Sequence, residues 1–76
     1  MSAENVYLAI QEERDRQNAK WGVKSLPPTI WLPVLVEEVG EVARAIMEQD
    51  NQAMRGELVQ VAAVCIAWLE CLFTGD

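Results

Sequence analysis

Histidine is absent from this 76-residue chain. That removes serine–histidine and cysteine–histidine nucleophilic chemistry, and with it most zinc sites. Basic residues are few, six against twelve acids, for a net charge of −6. A surface of that sign does not hold a phosphate backbone, so no nucleic-acid partner is expected and any phosphorylated ligand needs a cation to mediate. There are only two cysteines, Cys65 and Cys71, in an apolar stretch whose spacing suits no familiar thiolate metal site. No disulfide framework is expected. The N-terminus is polar from Ser2 to Asn5 and does not read as a signal peptide, so a reducing cytoplasm is the simplest setting. The longest uninterrupted apolar run, Val61 to Leu69, is too short to cross a bilayer, and no membrane partner is expected. Carboxylates and a hard cation are what remain for catalysis.

Short length adds a constraint of its own. One domain fits, spanning residues 1–76, and a chain of this size buries only about 60% of the surface its unfolded form exposes. Small domains without disulfides recover stability from metals or partner subunits.

Punctuation divides the chain into three helical segments and gives an all-α fold class. The first is expected over about 2–21, with Ser2 as N-cap and Gly22 as stop, and with Glu12, Arg16 and Lys20 at i, i+4 spacing. Ser25 to Thr29, with Pro27 and Pro28, reads as a loop. A second helix follows over about 29–49, with Pro33 tolerated in its first turn and an apolar stripe through Leu32, Leu35, Val36, Val39, Val42, Ala43 and Ile46. Asp50 and Asn51 offer a new N-cap for a third helix over about 51–73, with Gly75 beyond it and Gly56 weakening its start. From Leu58 to Leu69 the only polar residue of that helix is Gln60. A helix apolar all round must be covered all round. Three helices cannot do it alone, so the expected architecture is a three-helix chain completing a four-helix-bundle core by homo-oligomerisation, as a homodimer or a dimer of dimers. Trp21, Trp31 and Trp68 are expected as core or interface anchors, and Met47 and Met54 as packing residues.

The chemistry is concentrated in Glu37, Glu38 and Glu41, an E-E-x-x-E pattern on the second helix, on an arc opposite the apolar stripe. Acids in that position are most often a solvated face. Glu57 alters the balance, because an antiparallel third helix would bring it beside Glu38 and Glu41, with Gln60 one turn on. Neighbouring carboxylates repel by several kcal/mol and persist only protonated or bridged by a cation. Oxygen ligands without histidine or thiolate select magnesium or manganese.

These residues resemble the MazG-like all-α nucleoside triphosphate pyrophosphohydrolases, a superfamily that includes the dimeric dUTPases and whose signature is E-E-x-x-E, a spacer, then E-x-x-D. The first half matches Glu37-Glu38-Val39-Gly40-Glu41 and the second Glu57-Leu58-Val59-Gln60. The segments from Glu13 to Gly22 and from Glu57 to Glu70 are similar to small bacterial and phage members. The resemblance implies a magnesium-dependent hydrolase that converts a nucleoside triphosphate to monophosphate and pyrophosphate. It implies Glu38, Glu41 and Glu57 as metal ligands, with Gln60 in the place of the usual aspartate, and Glu37 as a ligand or the base that activates water. Lys20 and Arg16 would neutralise phosphate and Trp21 would stack on a base, although both cations also suit a purely structural charged helix. The alternative is a non-catalytic helical assembly module of the same fold, binding a nucleotide or a protein partner.

Overall fold

The computed structural model describes residues 2–22 and 25–74. Three helices account for nearly all of them, α1 (Ala3–Trp21), α2 (Pro28–Met47) and α3 (Asn51–Phe73), with no strand among the described residues. Each start follows from local chemistry. Ser2 Oγ accepts from the amide of Asn5 at 3.3 Å, and Asp50 Oδ1 from that of Ala53 at 3.0 Å, satisfying donors that have no partner inside the helix. Gly22 ends α1 with φ 77°, a conformation that glycine adopts without a Cβ clash, and its amide returns to the Asn18 carbonyl at 2.8 Å. The α2–α3 turn is three residues, Glu48 to Asp50, and puts Gln49 in the left-handed region at φ 56°. α3 runs through Gly56 without a break, so the cap and the packing outweigh that glycine's entropic cost. Gly75, read as the stop beyond α3, lies outside the described residues.

α2 departs from expectation at both ends. It begins at Pro28 instead of Thr29, because proline at the first helical position has no amide to lose and its φ is already helical. Pro33 therefore lies in the second turn and withholds an amide from the Thr29 carbonyl, at a residue exposed to water. The helix stops at Met47, two residues early, because Gln49 turns the chain.

α3 is the centre of the molecule. α1 and α2 each pack on it, while their backbones do not pack on one another among the described residues. By length and composition α3, with mean hydropathy 1.7 in its most apolar stretch, is able to cross a membrane. The uninterrupted run Val61 to Leu69 understates it, since helical continuity extends the apolar character on both sides. Only 22% of that most apolar stretch is buried within the chain; the core consists of Ala63, Val64 and Cys71 of α3 with Trp31 and Ala45 of α2. Trp31 stacks on Trp68 at 6.4 Å between centroids and 10° between planes. Both thus act as anchors, whereas Trp21 is exposed and Met47, at 84% exposure, packs on nothing substantial within the chain. No disulfide joins Cys65 and Cys71. The Cys71 thiol sits 3.6 Å from Ser25 Oγ and 3.8 Å from the Leu26 carbonyl, fixing the loop before α2 to the end of α3.

The face that α2 turns to α3 is not the stripe with the most apolar residues. Trp31, Leu35, Glu38, Val42 and Ala45, at i, i+4, i+7, i+11 and i+14, lie inward and are buried or half-buried. Leu32, Val36, Val39, Ala43 and Ile46 repeat the same spacing one residue later and are exposed. Of the acids expected opposite the stripe, Glu38 is thereby brought into the α2–α3 seam, Glu41 is half-buried beside it, and Glu37 stays exposed.

Val64 carries the α2–α3 core at 6% exposure. Val64→Glu buries an unpaired carboxylate and is expected to cost about 4 kcal/mol or more, enough to unfold a domain of this size. Circular dichroism that finds a cooperative, near-wild-type melt for this variant would refute the packing described.

Candidate active site

A cleft of about 800 Å³ opens where α1 and α2 diverge over α3. Gln60, Val64, Ala67 and Cys71, at helical spacing on one face of α3, form its floor. Arg14, Gln17 and Trp21 line it from α1, and Trp31, Val34 and Glu38 from α2. Its surface is mostly apolar, with charged groups at separate places. A smaller pocket of about 330 Å³ lies farther along the α2–α3 seam, bordered by Glu41, Arg44, Glu48 and Glu57.

Glu38 borders the larger cleft. Its carboxyl is held above the ordinary glutamate range, first by burial in the seam and then by the charges of Glu57, Glu37 and Glu41. Of those charges Glu57 weighs most. The antiparallel hairpin thus brings together Glu38 and Glu57, nineteen residues apart in sequence, with Glu37 and Glu41 in electrostatic reach. Glu41 is partly neutralised by Arg44 at 3.7 Å, and Arg44 reaches Glu48 at the same distance. Gln60 lies in the large cleft with Glu38. Glu37 is exposed and borders neither cavity.

The donor set is all oxygen and strongly anionic, which suits a hard divalent cation. Among the described residues, however, no group of three or more histidine, cysteine, aspartate or glutamate side chains gathers closely enough to hold a metal ion. The chain supplies one apposed pair of acids, Glu38 and Glu57, with others around it.

The α1 residues are distributed differently from the expected ladder. Arg16 pairs with Glu13, not Glu12, through Nε–Oε1 at 3.0 Å and Nη2–Oε2 at 2.5 Å. Those bonds are the main reason that the Glu13 carboxyl is lowered below its ordinary range. Arg16 and Trp21 border the cleft, while Lys20 lies over the Trp21 ring, 4.7 Å from its centroid, and is not among the residues lining the cleft. Arg14, given no site role in the sequence, is 8% exposed. Its Nη2 donates to Glu70 Oε1 at 2.7 Å and its Nη1 to Gln17 Oε1 at 3.1 Å. Its partner lies 56 positions away, a separation without local signal.

A helical hairpin with apposed acids along its seam and a third helix leaning away to open a cleft defines the class, an all-α carboxylate-site protein. Residues 27–70 match the family model of the MazG nucleotide pyrophosphohydrolase domain. That span exceeds half the chain and covers nearly all of α2 and α3, and the protein belongs to this family. Neither the curated proteins nor the solved structures contain a match to the chain. α1, which contributes Arg14, Arg16, Lys20 and Trp21, lies outside the matched residues.

The raised Glu38 carboxyl makes a signed prediction for the metal-free protein. When a folded-state pKa exceeds its unfolded value, the group's stabilising contribution is present below the unfolded value and lost as pH rises through the folded one. The window therefore opens near 4.5 and extends upward. Glu38→Gln is expected to raise the melting temperature at pH 7 by a few degrees and to flatten the decline of stability above pH 4.5. An unchanged pH profile in thermal melts would show that Glu38 is not under this repulsion.

Proposed function

We propose that the protein is a divalent-metal-dependent nucleoside triphosphate pyrophosphohydrolase, cytoplasmic and self-associating, that releases nucleoside monophosphate and pyrophosphate. The observation that carries this reading is the apposition of Glu38, which lines the cleft, with Glu57 across the seam, in a family of nucleotide pyrophosphohydrolase domains. Two carboxylates held together in a partly buried seam are costly unless protonated or bridged by a cation. Magnesium, or manganese, on Glu38, Glu41, Glu57 and the amide oxygen of Gln60 would supply charge neutralisation and acidification of a bound water. The protein's own groups then have distinct tasks. Glu37, exposed beside the cluster, accepts the proton of the attacking water. Arg16, at the border of the cleft, provides positive charge for the phosphates, Trp21 provides a flat apolar surface for the base, and Lys20, over the Trp21 ring, would have to swing off it to reach a phosphate. With too few ligands converging for a metal-binding cluster among the described residues, substrate phosphates would have to complete the coordination, and nucleotide and metal would then bind cooperatively.

The non-catalytic reading, a helical module that binds nucleotide or a protein partner, draws on the same missing convergence and on Gln60, which brings no charge. Pyrophosphate release from a panel of canonical and modified nucleoside triphosphates with magnesium tests the enzyme directly. Gln60→Asp separates the readings further. In an enzyme it should tighten magnesium binding and lower the magnesium concentration needed for half-maximal hydrolysis. In a non-catalytic module it adds an acid with nothing to offset it. A destabilised variant that magnesium does not restore in thermal melts, together with no pyrophosphate release from the panel, would defeat the catalytic reading.

Self-association draws support from surface area. The chain exposes 5634 Å². A compact monomer of 8.5 kDa exposes about 4,700 Å². The excess, roughly 900 Å², is close to what one partner buries in a standard interface. The exposed α2 stripe of Leu32, Val36, Val39 and Ile46, with Leu58, Ile66 and Leu69 on α3, is the apolar surface that a second copy would cover. Light scattering is expected to find a dimer or a dimer of dimers, and Val39→Lys to shift it towards monomer. A folded wild-type monomer at micromolar concentration would remove self-association from the proposal.

A further inference from the structure

Arg14 and Glu70 form a polar site in the same cleft, well separated from the acids. Along α3, Glu70 lies ten residues beyond Gln60, about 15 Å of helical rise. The two ends of the cleft thus differ in character. Around Glu38 and Gln60 the groups are anionic or amide. Around Arg14 and Glu70 a guanidinium and a carboxylate lie side by side at 2.7 Å, and Trp21 and Phe73 border the same space.

Stability alone is a poor reason for this pair. Taking a guanidinium out of water is costly, and a buried ion pair is often matched or bettered by apolar residues of the same volume. Arg14 also leaves its Nε buried without a hydrogen-bond partner, a further penalty. Glu70, by contrast, keeps 59% of its side chain exposed on the cleft. The pair is therefore half anchored and half presented, a fixed donor beside an accessible acceptor.

That combination limits what it can bind. A phosphate is a poor fit, because Glu70 already cancels the guanidinium charge and would repel a second anion. A purely apolar group would leave the pair's remaining hydrogen-bonding capacity, the outward-facing Glu70 carboxylate above all, without a partner. A flat heterocycle whose edge sets a carbonyl or ring-nitrogen acceptor next to an N–H donor satisfies both, with the aromatic and aliphatic walls taking its faces. Resting on the nucleotide reading above, we propose that Arg14 and Glu70 read the hydrogen-bonding edge of the substrate's base, and so are specificity-determining residues at the end of the cleft opposite the phosphate-handling acids.

The test is binding, which does not depend on turnover. Nucleoside monophosphates of each common base are titrated calorimetrically, in excess magnesium, into the wild-type protein and into the Arg14→Met/Glu70→Met double variant. A site that hydrogen-bonds a base edge discriminates among bases by about 10-fold or more, and its apolar replacement should compress the range to about 3-fold while circular dichroism shows an intact fold. Should the double variant not fold, Glu70→Gln keeps the size and one acceptor and is expected to change the order of base preference by about 5-fold. Wild-type protein that binds no nucleotide, or all bases equally, overturns the assignment. So does discrimination that survives both substitutions. Base discrimination without pyrophosphate release would overturn the enzyme reading and uphold this one, and pyrophosphate release without discrimination would do the reverse.

Discussion

Everything in this molecule depends on covering α3. It is apolar on nearly every side, and the chain has only two other helices to lay against it. Because they approach it from different directions and their backbones do not pack on one another, the uncovered angle between them becomes the cleft. The fold is accordingly more open than its length requires, with a radius of gyration of 13.0 Å. A compact chain of this length has about 11.4 Å. The same shortage of helices that leaves apolar surface exposed also provides the concavity.

The electrostatics follow from which face α2 turns inward. Two interleaved rows share the spacing of a core-facing helix, one of Leu32, Val36, Val39, Ala43 and Ile46, the other of Trp31, Leu35, Glu38, Val42 and Ala45. The second wins in this fold because Trp31 stacks on Trp68 and Ala45 permits close approach near the turn. Glu38 is carried into the seam with them. Its raised carboxyl is thus a by-product of aromatic packing two turns away, and the apposition with Glu57 follows from the antiparallel register that the three-residue turn imposes.

Helix number, caps and the α3 boundaries were legible in the sequence because each has a local cause: Ser2, Gly22, Asp50 and the 3.6-residue periodicity. The proximity of Glu57 to Glu38 was legible too, since a short turn between two helices leaves little freedom in pairing. The inward face of α2 was not, because the row with more aliphatic residues is the natural choice until the tryptophan pair is known. Arg14 was hidden for a different reason. Nothing near it in sequence distinguishes it from Arg16, and its burial depends entirely on how α1 crosses the end of α3. The pairing of Arg16 with Glu13 in preference to Glu12 was likewise a choice between adjacent rotamer geometries, i−3 against i−4.

The three-residue connection between α2 and α3 also bears on the order in which the chain assembles. Contacts within that hairpin close short loops, and they include the buried Trp31, Ala45 and Val64. Those of α1 with α3 close much longer ones, up to the 56-residue span from Arg14 to Glu70. Loop entropy favours the hairpin first and α1 last. In the folded state the same asymmetry is expected to make α1 the first element to detach, its amide protons exchanging sooner than those of the hairpin. The wall of the cleft that carries Arg14, Gln17 and Trp21 is then also the part of the molecule joined to the rest by the longest loop closures.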